Sequence, residues 1–211
     1  MAIEESSVVA AAGNSAKFWS TRGGFKTEII ETVKVGQVHF LFYGDSKKLY
    51  DFCDSVSTRV PVFIDEAYLE ISKGGLKNSM VGLVSKGRDV IITRTFSKIY
   101  GLAGLRVGWG YGSKEIISAL NKVKPPFNVS RPALFAASAA VKDSAWLNKE
   151  IKHVNKWSKK MFSEFKKMRI ETNKSFTNFL LVKFDKVKIN SAKVFGLLAK
   201  SGILVLSLIH I

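Results

Sequence analysis

Side chains with chemistry to offer fall at the ends of two apolar runs in this chain. Asp65 and Tyr68 follow "VPVFID"; Thr95, Ser97, Lys98 and, farther on, Arg106 follow "DVIIT". Each has a bland reading on its own. An aspartate after a strand is commonly a turn or helix-cap residue, and a strand-end lysine is commonly solvated. Together they form a set: an acid, a phenol, two hydroxyls, an amine and a guanidinium, interleaved with glycines that permit close backbone approach. A metal site needs more His, Cys or carboxylate ligands than this edge offers. "GLAGLR" is not a phosphate-binding P-loop, and the chain has no G-x-S-x-G nucleophile elbow. What the set does provide is a lysine to condense with an aldehyde, an arginine to hold a phosphate and an aspartate to pair with a ring nitrogen.

The elements that must position these residues can be read from hydrophobic pattern. "VPVFID" and "DVIITRTF" are continuous apolar runs of β-branched and aromatic type, as in strands buried on both faces. Upstream, "SKKLYDFCDSVS" places Leu49, Phe52 and Val56 at helical spacing, and "GLKNSMVGLVSKG" reads as a short helix ending at Gly87. "RVGWGYG" predicts a third short strand, and Ser113 caps a helix "KEIISALNKVK" that stops at Pro125-Pro126. A long amphipathic helix is predicted from about Asp143 to Lys167. Then come a strand "FTNFLLVKF", a helix "SAKVFGLLAKSG" ending at Gly202, and "ILV" as the start of another strand. The segment "FKTEIIETVKVGQVHFLFYG" reads as either a helix or a strand pair. Alternating strands and helices predict an α/β architecture, with a mainly parallel sheet and flanking helices. In such sheets chemistry gathers past the carboxyl ends of the strands, where the set falls.

Bulk properties narrow the class less. The 211 residues suit one ordinary domain or slightly more, and 46% hydrophobic with 24% charged residues is a globular composition. A formal charge of +16 invites a nucleic-acid reading. The lysines, however, are spread over mixed amphipathic stretches with no zinc or RNA-binding motif beside them, which reads as a solvated surface with no nucleic-acid partner. A lone Cys53 fits a reducing compartment. The acidic N-terminal stretch is the reverse of a secretory leader, and no run is long enough to span a membrane, so a cytoplasmic setting is expected.

The motifs "FIDEAYLE" and "TRTFSKIYGLAGLRVGWG" resemble those of the fold-type-I, class I/II aminotransferases, and most closely the histidinol-phosphate aminotransferase branch. The resemblance runs from about residue 47 to 205. It implies the large domain of that fold followed by the beginning of a small C-terminal α/β domain. Residues 1–46 are then an unassigned or incomplete N-terminal segment, 47–140 the cofactor-binding core, and 141–211 a linking helix with a truncated small domain. The implied cofactor is pyridoxal 5'-phosphate, whose three requirements match the lysine, arginine and aspartate set out above. By the resemblance Lys98 is the cofactor-holding lysine and proton carrier, Asp65 the partner of the ring nitrogen, and Tyr68 a donor to the ring oxygen. Arg106, Thr95 and Ser97 would bind the phosphate. Gly101 and Gly104 would turn the loop that brings Arg106 back, while Gly108 and Gly110 serve packing at the next strand. The implied substrates are small molecules, an amino acid or amino phosphate and a 2-oxo acid, and the implied assembly is a homodimer when full length.

A related decarboxylase acting on threonine phosphate shares the lysine and aspartate, and remains an alternative. So does a basic nucleic-acid-binding module, from another class. Several departures from the family's pattern predict that the chain is a fragment. The asparagine-proline motif expected before Lys47 is replaced by "VHFLFYGDSKK", and Leu206 stands where an arginine is expected. The ending "LSLIHI" reads as a translated sequencing adapter, which predicts that residues 206–211 are not native. His39, His153 and His210 match no catalytic position. Trp109 and Trp146 are expected in the core and Tyr100 as a wall of the site; Arg94 and Arg131 have the reach to its edge but are assigned no role there.

Overall fold

The computed structural model describes residues 32–35, 38–41, 46–175, 177–184, 187 and 189–206, the first two segments by backbone alone. The chain divides into two compact units, Met1–Ile151 and Lys152–Ile211. This division falls inside a helix, between Ile151 and Lys152.

In the first unit, β1 (Thr32–Val35) and β2 (Val38–Leu41) form an antiparallel pair, so the ambiguous segment is a strand pair. Helix α1 (Ser46–Val56) leads to β3 (Val62–Asp65), which pairs in parallel with β4 (Val90–Thr95); Asp65 stands opposite Thr93. One face of these two strands sets Val62, Ile64, Val90 and Ile92 against Cys53 of α1, Met80, and Leu83 of α2 (Val81–Ser85). Burial pushes the Cys53 thiol up to about 12, so it is an inert packing residue.

Strand β5 (Gly108–Tyr111) joins β4 in antiparallel fashion, with Thr95 opposite Gly108. The expected run of parallel strands therefore breaks here. The physical reason is the connection. Between β4 and β5 lies only a single 3-10 turn, Ala103–Leu105, and a parallel return needs a crossover element lying over the sheet.

The helix expected before Gly87 is also split, into a 3-10 turn at Gly75–Asn78 and α2. Ser79 between them is extended, at φ −64° and ψ 140°, because its hydroxyl and the neighbouring Met80 N–H both bind the Glu66 carboxylate. Helix α3 (Lys114–Val123) is capped by Ser113, as its sequence predicts. Helix α4 (Arg131–Lys142) was not anticipated, although Ser130 followed by Pro132 is a start signal: the Ser130 hydroxyl accepts from the Ala133 N–H at 3.3 Å.

Helix α5 (Ser144–Lys167) matches the predicted long helix. Lys149, Lys152, Lys156, Lys159 and Lys160 are all exposed along it. At 3.6 residues per turn they fall within about 100° of its circumference, so lysines scattered in sequence share one solvated face. Among the described residues no helix is long and apolar enough to cross a membrane.

In the second unit β6 (Glu171–Thr172) and β7 (Val182–Lys183) form a short antiparallel pair, and α6 (Ser191–Lys200) is capped by Asn190. The predicted strand "FTNFLLVKF" shrinks to β7. "ILV" is not a strand: among the described residues nothing pairs with 203–206, and Leu204 is 88% exposed. His153 packs its ring 6.2 Å from that of Trp157, beside an apolar cavity of about 300 Å³ that Met161 and Phe179 also line. The His39 side chain and all of His210 lie outside the described residues.

Candidate functional site at the carboxyl edge of the central sheet

Two parallel strands end side by side, and their ends carry the set. Asp65 closes β3, is exposed, and its Oδ1 accepts the Ala67 N–H at 3.0 Å, which turns the chain out of the strand. Because side chains alternate along a strand, Asp65, Thr93 and Thr95 share one face of the sheet. Thr95 closes β4, buried, with its hydroxyl accepting the Ser97 N–H at 2.9 Å. Beyond it the Lys98 ammonium lies 5.6 Å from the centroid of the Tyr68 ring. Tyr68 belongs to the turn that Asp65 starts, so the loops after β3 and β4 meet through this contact. The Arg106 Nη1 donates to the Ser97 hydroxyl at 3.4 Å and to the Ala103 carbonyl at 2.8 Å.

Arg106 returns to Ser97 because residues 96–107 form the loop of a hairpin. Its neck is closed by the Phe96 N–H donating to Val107 at 3.1 Å and the Leu102 N–H donating to Phe96 at 3.0 Å. Gly101 makes the tight turn at φ +71°, donating its N–H to the Lys98 carbonyl at 3.0 Å. Gly104 needs no special conformation, and the second left-handed residue is Arg106 itself, at φ 52° and ψ 56°. A non-glycine residue held there carries strain of order 1 kcal/mol or more, and such strain concentrates at functional sites. Gly108 and Gly110 stand opposite Thr95 and Thr93, so β5 puts no side chain across from that face. Phe96 and Val107 pack on Ala133 and Ala137 of α4, whose small side chains let the loop lie close. The Trp146 indole N–H, at the start of α5, donates to the Ile99 carbonyl at 3.3 Å.

Arg94 does not join this edge. It points to the other face, where its Nη2 lies 2.8 Å from the buried Glu66 carboxylate and its guanidinium lies 5.0 Å from the Trp109 ring. Tyr100 packs against Phe96, with ring centroids 5.0 Å apart. Arg131 is exposed in the first turn of α4. Glu66 and Glu70, both buried, carried no signal beyond their place in the motif. Burial raises the Glu70 carboxyl above the usual glutamate value. The folded chain thus binds that proton more readily than the unfolded one, so the contribution of Glu70 favours folding below the ordinary glutamate pKa and is lost as pH rises through the raised value. Glu70→Gln is therefore expected to raise the thermal midpoint at pH 8 and to leave it unchanged near pH 4. Midpoints measured across that range decide it.

Comparisons with known proteins concern the family and the fold. The model of the family "Aminotransferase class I and II" matches residues 44–209. A histidinol-phosphate aminotransferase of Pelagibacter ubique is 39% identical over 160 residues, 76% of this chain and 44% of that protein. One from Caldicellulosiruptor saccharolyticus is 38% identical over 159 residues, 75% of this chain and 43% of that protein. The chain thus spans less than half the length of these curated relatives. Among solved structures, the histidinol-phosphate aminotransferase of Sinorhizobium meliloti in complex with pyridoxal-5'-phosphate superposes with a TM-score of 0.68 at 24% identity, covering 78% of this chain and 45% of that one. A Thermus thermophilus aspartate aminotransferase variant gives 0.64 at 15% identity, covering 76% of this chain and 46% of that one. These two likenesses concern the fold. With a strand-end acid, a hairpin-loop lysine and a returning arginine in one sheet edge, and a family match that covers most of its length, the chain belongs to the class I and II aminotransferases, of fold type I.

Proposed function

We propose that the protein to which this chain belongs is a pyridoxal-phosphate-dependent aminotransferase that moves the amino group of L-histidinol phosphate to 2-oxoglutarate, as a cytoplasmic homodimer. The observation that carries the reading is the meeting of two loops at one sheet edge, with Lys98 over Tyr68, Asp65 at the neighbouring strand end, and Arg106 on Ser97. The substrate choice is supported by the names of the Pelagibacter and Caldicellulosiruptor relatives. The compartment is supported by the single, buried cysteine.

The donor set suits the cofactor chemically. When bound, pyridoxal phosphate supplies an electron-withdrawing ring that takes up the electrons released when the substrate Cα loses its proton. Asp65 would hold a proton on the ring nitrogen by charge. Tyr68 would donate its O–H to the ring oxygen. Arg106 offers the phosphate a planar fork of N–H donors, with hydroxyls from Ser97 and Thr95 beside it. Lys98 would take the proton from Cα and return it to the carbon on the other side of the transferred nitrogen, the one that the cofactor's aldehyde supplies, as a positioned general base and then acid.

The test is covalent mapping. Borohydride reduction in the presence of pyridoxal phosphate is expected to fix the cofactor's mass on the peptide containing Lys98, because anchoring at both ends gives its aldehyde a high effective concentration there. Modification spread evenly over exposed lysines, with Lys98 unexceptional, would defeat the reading.

A second expectation follows from the strained backbone of Arg106. Arg106→Gly should leave the thermal midpoint equal or higher, since glycine adopts φ 52° without cost. Cofactor affinity should nonetheless fall about 10- to 100-fold, the worth of charge-assisted hydrogen bonds of roughly 1.5–3 kcal/mol. Fluorescence titration with pyridoxal phosphate alongside thermal unfolding separates the two effects.

A further inference from the structure

We propose that Glu66 and Arg94 are a positioning pair that sets the spacing of Asp65, Lys98 and Arg106 from the opposite face of the sheet; this rests on the reading of that edge as the cofactor site. The pair is enclosed. Glu66 is 6% exposed, and its Oε1 accepts the Met80 N–H at 2.7 Å. Its Oε2 accepts from Arg94 Nε at 2.9 Å and lies 2.8 Å from Arg94 Nη2. The Ser79 hydroxyl donates to the same carboxylate at 2.9 Å and accepts from Arg94 Nη2, also at 2.9 Å. The Trp109 ring covers the guanidinium at 5.0 Å.

Glu66, Arg94 and Trp109 are each joined through the backbone to a site residue. Glu66 follows Asp65 directly, and its N–H extends the ladder by donating to the Thr93 carbonyl at 2.9 Å. Arg94 precedes Thr95 and leads into the turn that carries Lys98. Trp109 follows Gly108 in β5, just past Arg106, and stands opposite Arg94 in the register. One ion pair thus ties together the ends of all three strands, at the positions where the cofactor's three anchors leave the sheet. A buried ion pair adds little net stability over apolar residues of similar volume. Fixed geometry is what it supplies that Met or Leu in its place would not.

The experiment compares the complete gene product as wild type, Glu66→Gln, Arg94→Met and the double variant Glu66→Met/Arg94→Met. Hydrogen exchange is read first, on cofactor-free protein. The Ala67 and Ser97 amides, which hold the two strand-end turns, should exchange about tenfold faster in every variant than in wild type. In the double variant, where no charge is left unpaired, the thermal midpoint should stay near wild type. Its kcat should still fall about 100-fold, as for a displacement of roughly 1 Å at a reacting group, with KM for the amino substrate within about twofold. A double variant with wild-type exchange at Ala67 and Ser97, or with wild-type kcat, would overturn the proposal. Failure of wild type to label at Lys98 would instead overturn the cofactor reading, and the exchange rates would still decide whether the pair orders the edge.

Discussion

Lys98→Ala in the complete gene product is expected to lower kcat for transamination by about 10⁴-fold, the upper range for loss of a positioned proton-transfer group. Cofactor binding should survive in weakened form. Arg106 and Ser97 sit in one loop, Thr95 ends the strand that leads into it, and Asp65 lies on the neighbouring strand. The fold should also be indifferent. Lys98 is partly exposed, and the carbonyl that closes the Gly101 turn belongs to its backbone, so alanine keeps that turn. Small primary amines added in solution should restore part of the activity, since the missing group is an amine at a fixed place. A Lys98→Ala protein retaining a tenth of wild-type kcat would remove Lys98 from the chemistry.

Asp65→Asn is expected to lower kcat by about 10- to 100-fold, from the roughly 1.5–3 kcal/mol that a hydrogen bond to a charged group is worth. This substitution separates two roles that coincide at one side chain. As a turn residue Asp65 accepts the Ala67 N–H at 3.0 Å, and the asparagine carbonyl accepts the same bond. The turn, the thermal midpoint and the position of Tyr68 should therefore be preserved. As the partner of a protonated ring nitrogen it needs a full negative charge, which asparagine lacks. If Asp65 were only a turn residue, Asn would be neutral in both stability and rate. Steady-state kinetics with a thermal melt on the same sample tells the two roles apart.

Much of the site was legible because its chemistry lies in residue types at short spacing. An aspartate ending one apolar run and a lysine just past another are local facts, and the runs themselves identify β3 and β4. The caps at Ser113 and Asn190 and the length of α5 are local as well, since a helix end is set by its own first turn. The Ser130-Arg-Pro start of α4 is equally local, and the helix it begins is the one that supports the lysine loop. The direction of β5 was not legible, because strand orientation depends on which edge is free and on whether a crossover element covers the sheet. The same hairpin return makes Arg106 a neighbour of Ser97, a relation that spacing alone leaves open. Residue spacing, apart from the family resemblance, does not say which cation faces the site edge. Arg94 and Arg106 flank the same loop. Strand alternation and a buried acid send Arg94 to the Glu66 side, while a left-handed backbone sends Arg106 to the edge. The sequence by itself determined which functional groups are present and on which elements they ride. The tertiary structure decided which of them face one another, because long-range strand pairing chooses the face on which each side chain emerges.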